Sequence, residues 1–387
     1  MSSKMLKIGF VLDDTLDKPD GVQQHVLTVG KWLTEQGHEV HYLVANTVRT
    51  DIDNIHSLGK FVSLHYNKNN VRTPVPASRR KIKKLLAKHQ FDVLHVQLPY
   101  SPFLSKQIIN NAPEGTAIVG TFHILPASRL HGYSNRALKL LLGKSLQKFD
   151  KIVAVSEPAV HFARRAYGVS AEYLPNPIDI NIFRAGKRIP EFNARKLNIV
   201  FLGRLVKRKG LLELIDAYNH ISDDLAKKTR LLICGKGPLK QRANHSVRVD
   251  RDVKFLGFVP ERDKPNYLAS ADIAVFPSTG GESFGIVLIE AMAAGAKSVI
   301  GGHNPGYASI LAPQPYLLFD PSSREAFVEQ LELFIQDDKL RARMHDWQQL
   351  AVEQYDISVV GPKIVKLYKE AMALNEPKDV VELNAES

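Results

Sequence analysis

The strongest constraint on the fold is a unit that recurs along the chain: a short apolar run, a turn, and then apolar residues at helical spacing. Residues 8–12 are apolar, Asp20 and Gly21 follow in a turn-rich stretch, and Val22, Val26, Val29 and Leu33 then repeat with a helical period. Residues 39–45, 93–96, 117–122 and 152–155 continue the pattern. Such runs suit strands buried on both faces, and strands alternating with helices predict a parallel α/β sheet.

The pattern stops and restarts. Residues 174–183 are too rich in proline to be regular, and 185–193 are polar and charged. A second set follows, with strands expected at 198–202, 230–234, 253–256 and 273–276 and helices at 211–221 and 284–294. At 387 residues the chain exceeds the roughly 250–300 at which one core stops growing. Two doubly wound, Rossmann-like domains in tandem are therefore predicted, one over 1–185 and one over 190–360. Ligands in such sheets bind at the carboxyl ends of the strands, so two facing domains should enclose a cleft.

Composition narrows the class. Apolar residues at 44% and charged residues at 24% exclude wholesale disorder and collagen-like repeats. One cysteine, Cys234, permits no internal disulfide and no multi-thiolate metal site. Neither a long apolar leader in residues 1–10 nor a run of about 18 apolar residues is present, so a cytosolic protein with at most peripheral membrane contact is expected.

The charge is lopsided: residues 1–190 hold 26 Lys+Arg against 14 Asp+Glu, and 191–387 hold 26 against 26, so the whole +12 lies in the first half. Residues 68–88 carry eight basic side chains and no acid. Within them Arg79, Arg80, Lys83, Lys84 and Lys88 crowd a helix whose Ile82, Leu85 and Leu86 form an apolar stripe. That pattern fits a helix lying on an anionic lipid surface, where each cation adds about 1 kcal/mol. Interleaved aromatics and nucleic-acid motifs are missing, which favours membrane over nucleic acid. A solvated helix at the sheet periphery is the competing reading.

Three glycine-bearing turns and one histidine are the candidates for chemistry, although taken singly Gly21 also reads as a turn glycine, the 201–210 cations as a solvated loop, Glu290 as the polar face of a helix and His123 as a structural histidine. In residues 19–25, Gly21 would let the backbone approach a ligand at a helix N-terminus. Residues 201–210 place Arg204, Lys207, Arg208 and Lys209 between a strand end and a helix, where Arg204 and Lys209 could clamp a diphosphate. Residues 278–295 place Gly280, Gly281, Glu282 and Ser283 before a helix closed by Gly295. Ser283 is expected to cap that helix and the Phe284, Gly285 and Ile286 amides to face the cleft. On a continuous helix Glu282 and Glu290 would lie about 12 Å apart, within roughly 80° of one face, suited to the far ends of one elongated ligand. His123 ends an apolar strand and could bond a neutral hydroxyl. The remaining histidines show no HExxH or paired-ligand spacing, so no protein-built metal site is expected. Asp51 with Asp53, and Asp250 with Asp252, read as solvent charges.

Taken together, Gly21-Val-Gln-Gln-His25, Phe91-Asp-Val-Leu-His95, Thr121-Phe-His123, Val155-Ser156, Phe201-Leu-Gly-Arg204, Lys209-Gly210 and the run from Gly280 to Gly295 resemble the retaining glycosyltransferases of family 4, and within them most of all the phosphatidylinositol mannosyltransferases. The last run is the specific one, and the likeness spans about residues 5–372. The resemblance implies a GT-B fold. It also implies a C-terminal helix over 361–375 packed back on the first domain, while the mostly polar residues 376–387 read by composition as a frayed tail. It implies a hexose (mannose or glucose type) moved from a GDP- or UDP-hexose to an acceptor hydroxyl, a membrane lipid being the expected acceptor. Magnesium would at most accompany the diphosphate. Gly21, Arg204, Lys209 and the Phe284, Gly285 and Ile286 amides would then meet the diphosphate, Glu282 and Ser283 the sugar side, and Glu290 the ribose. His123 would lie beside the reacting sugar, and Gln23, Tyr66, Asn67 and Arg72 on the acceptor and membrane side. Two stretches depart from the family pattern, Asp20 in place of glycine and Ile124-Leu-Pro126 after the histidine. Both border the acceptor side and leave the acceptor open. A sugar-nucleotide epimerase and a non-catalytic polyanion-binding protein on the same fold are the rival readings.

Overall fold

The computed structural model describes residues 4–18, 20–66, 69–75, 78–125, 142–192 and 196–375, with only the backbone described for 60–75 and 143. Asn67, Pro126 and the tail over 376–387 lie outside the described residues, and the side chains of Tyr66 and Arg72 do as well.

Two parallel sheets carry the molecule. The first contains β1 (Lys7–Leu12), β2 (Glu39–Val44), β3 (Ile55–Ser57), β6 (Val93–Val96), β7 (Ala117–Phe122), β8 (Lys151–Ala154) and β9 (Glu172–Tyr173) in the order β3-β2-β1-β6-β7-β8-β9. The second contains β10 (Leu197–Leu202), β11 (Thr229–Cys234), β12 (Val253–Gly257), β13 (Ile273–Phe276), β14 (Val299–Gly302) and β15 (Leu318–Phe319) in the order β12-β11-β10-β13-β14-β15. An antiparallel hairpin of β4 (Lys60–Tyr66) and β5 (Asn69–Val75) leaves the first sheet between β3 and helix α2 (Arg79–His89). The central strands read as unbroken apolar runs because helices cover both faces, as the burial of all six residues of β7 illustrates.

In each sheet the strand order reverses beside the first strand, between β1 and β6 and again between β10 and β13. Connections on the two sides of such a point leave in opposite directions, which opens a crevice at the carboxyl ends. Helix α1 (Gly21–Glu35) starts just beyond β1, with Val26, Val29 and Leu33 buried against the sheet.

The chain crosses between the halves twice, side by side. Ile178 N–H donates to the Tyr355 carbonyl at 2.9 Å and Ile357 N–H donates to the Ile178 carbonyl at 2.8 Å. After the return crossing, helix Ile357–Asn375 buries Val360, Ile364, Leu367, Tyr368 and Ala371 in the core of the first sheet. A Cβ added to Gly361 would lie 2.7 Å from the Trp32 ring, so glycine there sets how closely this helix meets α1.

The basic helix departs from one expectation. Ile82 and Leu86 are buried in the core beside β6 and Leu85 packs on it, so the apolar stripe is consumed by the fold rather than left for a lipid surface. Arg80, Lys83 and Lys84 remain exposed, while Arg79 Nε donates to Asn111 Oδ1 at 3.0 Å. Among the described residues, no helix is long and apolar enough to cross a membrane.

Candidate active site

A cleft of about 300 Å³ lies where the two switch points face one another. The first half lines it with Asp20, Gly21, Val22, Gln24, His123 and Asn176. The second lines it with Gly203, Arg204, Arg208, Lys209, Lys264 and the run from Gly281 to Val287 together with Glu290.

The cations arrive by way of a turn. After β10, Lys207–Lys209 form one 3-10 turn that ends at Gly210, whose φ of +71° no side chain takes easily. A Cβ at Gly210 would lie 1.9 Å from the Pro277 carbonyl oxygen, so glycine alone lets the turn sit against the end of β13. The Arg208 carbonyl accepts from Thr279 N–H at 3.0 Å and from Ser278 Oγ at 2.9 Å, which fixes the turn beside the glycine loop. Glu282 Oε1 then accepts from Arg208 Nη1 at 2.6 Å and Lys209 Nζ at 2.7 Å, and lies 2.8 Å from Ser278 Oγ, whose one hydrogen it shares with the Arg208 carbonyl. Burial pushes the Glu282 carboxyl up, but Lys209 and Arg208 outweigh it and hold the group below the ordinary carboxylate range. Burial, with Arg208 and Arg204 adding to it, lowers Lys209 despite Glu282. Arg204 stays more than half exposed, its Nε 3.7 Å from Asp20 Oδ1 across the cleft.

The helix behind the glycine loop begins later than the sequence suggests. It runs Ile286–Ala293 with Gly285 at its N-cap position, φ +117°, and no side-chain cap. Ser283 therefore does not cap it: the left-handed turn at Gly285 ends the loop only there, and the Ser283 carbonyl instead accepts from Ser156 Oγ of the first half at 2.5 Å. The amides left unpaired by the first turn are those of Gly285, Ile286 and Val287, shifted by one from the expected set. Glu282 consequently lies in the loop, so its separation from Glu290 is not the helical one, although both line the same cleft. Glu290 is fully buried, its Oε1 3.0 Å from Lys264 Nζ, which also reaches Glu261 Oε2 at 2.7 Å. Burial raises the Glu290 carboxyl against the pull of Lys264; burial alone would lower Lys264, yet its two carboxylate partners raise it.

Across the cleft α1 presents its own N-terminus, and a Cβ on Gly21 would approach Ile286 Cγ2 to 3.7 Å, so two helix starts meet here. His123, at the end of β7, has Nε2 2.8 Å from Gln97 Oε1. An amide oxygen only accepts, so Nε2 carries the proton and Nδ1 remains an acceptor. Burial and the neighbouring His25 and His95 push His123 well below the ordinary imidazole value and keep it neutral. Gln23 is a correction: its side chain points inward and donates to the Thr15 carbonyl at 3.1 Å, because position 23 falls on the buried face of α1, and Gln24 lines the cleft in its place.

A second hollow of about 330 Å³ adjoins the first, sharing Asp20, Gly203, Arg204 and Lys264 and adding Gly235, Lys236, Phe258 and Val259. The Phe258 ring is half exposed at its rim, with Lys236 Nζ 5.5 Å from the ring centroid.

Comparison with known proteins now decides the family. A family model described as Glycosyltransferase Family 4 matches residues 19–182, and one described as Glycosyl transferases group 1 matches 183–348. The phosphatidyl-myo-inositol mannosyltransferase of Mycobacterium tuberculosis is 34% identical over 94% of this chain and 97% of its own length. This chain belongs to the family 4 glycosyltransferases. The enzyme of the same name from Mycolicibacterium smegmatis is 32% identical over 94% of each chain. The crystal structure of Anabaena HepE in complex with UDP-glucose superposes with a TM-score of 0.73 at 17% identity, covering 94% of this chain and 99% of that one, and shares the GT-B fold.

Of the residues singled out in this glycosyltransferase's sequence, Gly21, His123, Arg204, Lys209, Glu282, Ser283, Phe284, Gly285, Ile286 and Glu290 all line the cleft. Sequence reasoning passed over Arg208, Lys264, Gln24 and Asn176. Arg208 stood in the visible run of cations, and only the 3-10 turn ending at Gly210 reveals that it faces inward with Lys209. Lys264 opens a short helix far along the chain, and nothing local marks it.

Proposed function

We propose that this glycosyltransferase moves a mannosyl residue from a nucleotide diphosphate sugar to a hydroxyl of a phosphatidylinositol headgroup, with retention at the anomeric carbon. The observation that carries the reading is the meeting of two helix N-termini with Arg204, Arg208 and Lys209 in one cleft. Unpaired amides and guanidinium groups there suit the pyrophosphate of a donor. That the relatives at 32–34% identity are phosphatidyl-myo-inositol mannosyltransferases supports the sugar and the lipid.

In this reading Glu290 takes the ribose hydroxyls, the second hollow takes the base against Phe258, and Glu282 holds the sugar hydroxyls. The bond from the anomeric carbon to the β-phosphate oxygen breaks, and Arg208 and Lys209 stabilise the charge that grows on the departing diphosphate. The acceptor hydroxyl approaches on the same face. A phosphate oxygen takes its proton as the new bond to carbon forms, so configuration is kept without a protein nucleophile. Glu282 is a poor nucleophile, since Arg208 and Lys209 both already draw on Oε1. Neutral His123 accepts a sugar hydroxyl hydrogen at Nδ1. The exposed Arg80, Lys83 and Lys84 face an anionic leaflet at the cytoplasmic side, where nucleotide sugars are at hand, and the hairpin beside them, which carries Tyr66 and Arg72, lies on the acceptor side. An epimerase or a non-catalytic polyanion binder is not favoured, since neither needs a lipid-facing half.

The test is transfer itself. The protein with labelled GDP-mannose, or UDP-glucose in a parallel arm, and phosphatidylinositol vesicles should yield a labelled lipid whose anomeric coupling matches the donor. Release of free sugar with no labelled lipid from either donor, or an inverted product, overturns the proposal.

A further inference from the structure

We propose that His41, His56 and His89 form a binding site for one divalent transition-metal ion of the zinc type, remote from the sugar-transfer cleft. Among the described residues this is the only group of three or more metal-ligating side chains whose ligand atoms lie together, one ring nitrogen from each within 4.8 Å of the others. Tetrahedral zinc with nitrogen at about 2.0–2.1 Å needs ligand atoms about 3.3–3.4 Å apart, so the cluster has to adjust by little more than an ångström.

Three separate elements bring the rings together. His41 lies on β2 and His56, the register partner of Leu43, on β3, two places apart along the same parallel ladder and so on one face of the sheet, and His89 ends α2. The rings are packed at centroid distances of 4.6–5.2 Å. Phe91 closes one side, 5.3 Å from His41 and 5.7 Å from His89. His41 is buried, whereas His56 and His89 are half-buried, which leaves an entry path and room for a water as fourth ligand.

Hydrogen bonding already presents a lone pair to the centre. His41 Nε2 lies 2.8 Å from Glu39 Oε1, and the carboxylate only accepts, so neutral His41 carries its proton there. Its Nδ1, 2.9 Å from His56 Nε2, is then bare and faces the cluster. A carboxylate behind a ligating imidazole orients the ring and raises its basicity, the usual outer arrangement of a histidine metal site. In the free protein His56 donates its Nε2 proton to His41; on metal binding that proton moves to the half-buried Nδ1 and Nε2 becomes a ligand, with no net change in charge on the ring. Lys81 and Lys88 lie close enough to place positive charge beside His56. Those lysines oppose a dication, as does Lys7, whose Nζ lies 3.2 Å from Glu39 Oε2, and Glu39 offsets part of that charge. Bound metal would tie the three-residue edge strand β3 and the end of the cationic helix α2 to β2, closing loops of 15 and 33 residues by the numbering.

The full chain, stripped by a chelator and returned to metal-free buffer, is titrated with Zn²⁺ by calorimetry and with Co²⁺ by visible absorption. The wild type should bind one Zn²⁺ per chain and give the intense absorption of tetrahedral Co²⁺. His56→Gln and His89→Ala, both at half-buried positions, should each weaken binding at least about 30-fold, and Glu39→Gln about 10-fold. No stoichiometric Zn²⁺ on the wild type, a weak octahedral Co²⁺ spectrum, or binding unchanged in both histidine variants overturns the proposal. The Co²⁺ spectrum reads the ligand set without any substitution, so it decides the matter even if a variant fails to fold.

Discussion

Each half of the molecule holds 26 lysines and arginines, but the first half sets 14 acids against them and the second 26. In the second half the cations at the cleft are held by carboxylates: Arg208 and Lys209 by Glu282, Lys264 by Glu290 and Glu261. On α2 none of Arg79, Arg80, Lys81, Lys83, Lys84 and Lys88 forms an ion pair among the described residues, and the face they share is turned to solvent. Paired, buried charges are locked into a geometry that can meet a phosphate at fixed distances. Unpaired, exposed charges give long-range attraction to any anionic surface, screened by salt within about 10 Å at 0.1 M. Under the proposed function, one half recognises a small ligand and the other finds a large one.

Substituting the two kinds of cation tests that contrast, beginning with the largest effect. Lys209→Ala and Arg208→Ala should each lower kcat/KM for transfer by about two to three orders of magnitude, as expected for one lost charge-stabilising group, while the melting temperature changes little. If Arg208→Ala retains near-normal turnover, the paired cations serve the fold and the contrast fails. The triple change Arg80, Lys83 and Lys84 to Ser should weaken binding to anionic vesicles by about two orders of magnitude at low salt, at about 1 kcal/mol per cation. Donor hydrolysis without vesicles should stay unchanged; equal cosedimentation of the two proteins would leave the basic face without a role. The smallest effect concerns the one place, among the described residues, where the halves touch by charge across the cleft. Asp20 lies at the start of α1, 3.7 Å from Arg204, and if the cleft takes a diphosphate as proposed, its carboxylate would repel that group and compete with it for Arg204. Asp20→Gly should therefore lower the donor KM a few-fold with kcat little altered, and a raised KM would mean that the pair instead holds the cleft shut around the donor.

How much was legible in the sequence differs between the halves for the same reason. Most central strands were readable because buried parallel strands are apolar without interruption, whereas β14, the short edge strands β3, β9 and β15 and the β4–β5 hairpin were not; the glycine loop was readable because its turn and helix are contiguous. The helix start at Ile286 was not. It depends on the left-handed backbone at Gly285, where a Cβ would lie 2.7 Å from the Tyr307 ring, and that neighbour comes from a helix further along the chain. Gln23 was misplaced because neighbouring positions on a helix point about 100° apart, and the buried face is set by the sheet it covers. The stripe on α2 looked free for lipid because amphipathicity records that a face is buried without recording what buries it.

Local order along the chain thus determined the two-sheet architecture, the position of the glycine turns and the uneven charge, since each depends on residues within a few places of one another. Only tertiary structure decided which cations face inward, that Lys264 meets Glu290 from 26 residues away, and that His41, His56 and His89 share one point in space. Those are pairings between elements, and what sets them is how the sheets twist and where crossovers return the chain, which no local pattern encodes.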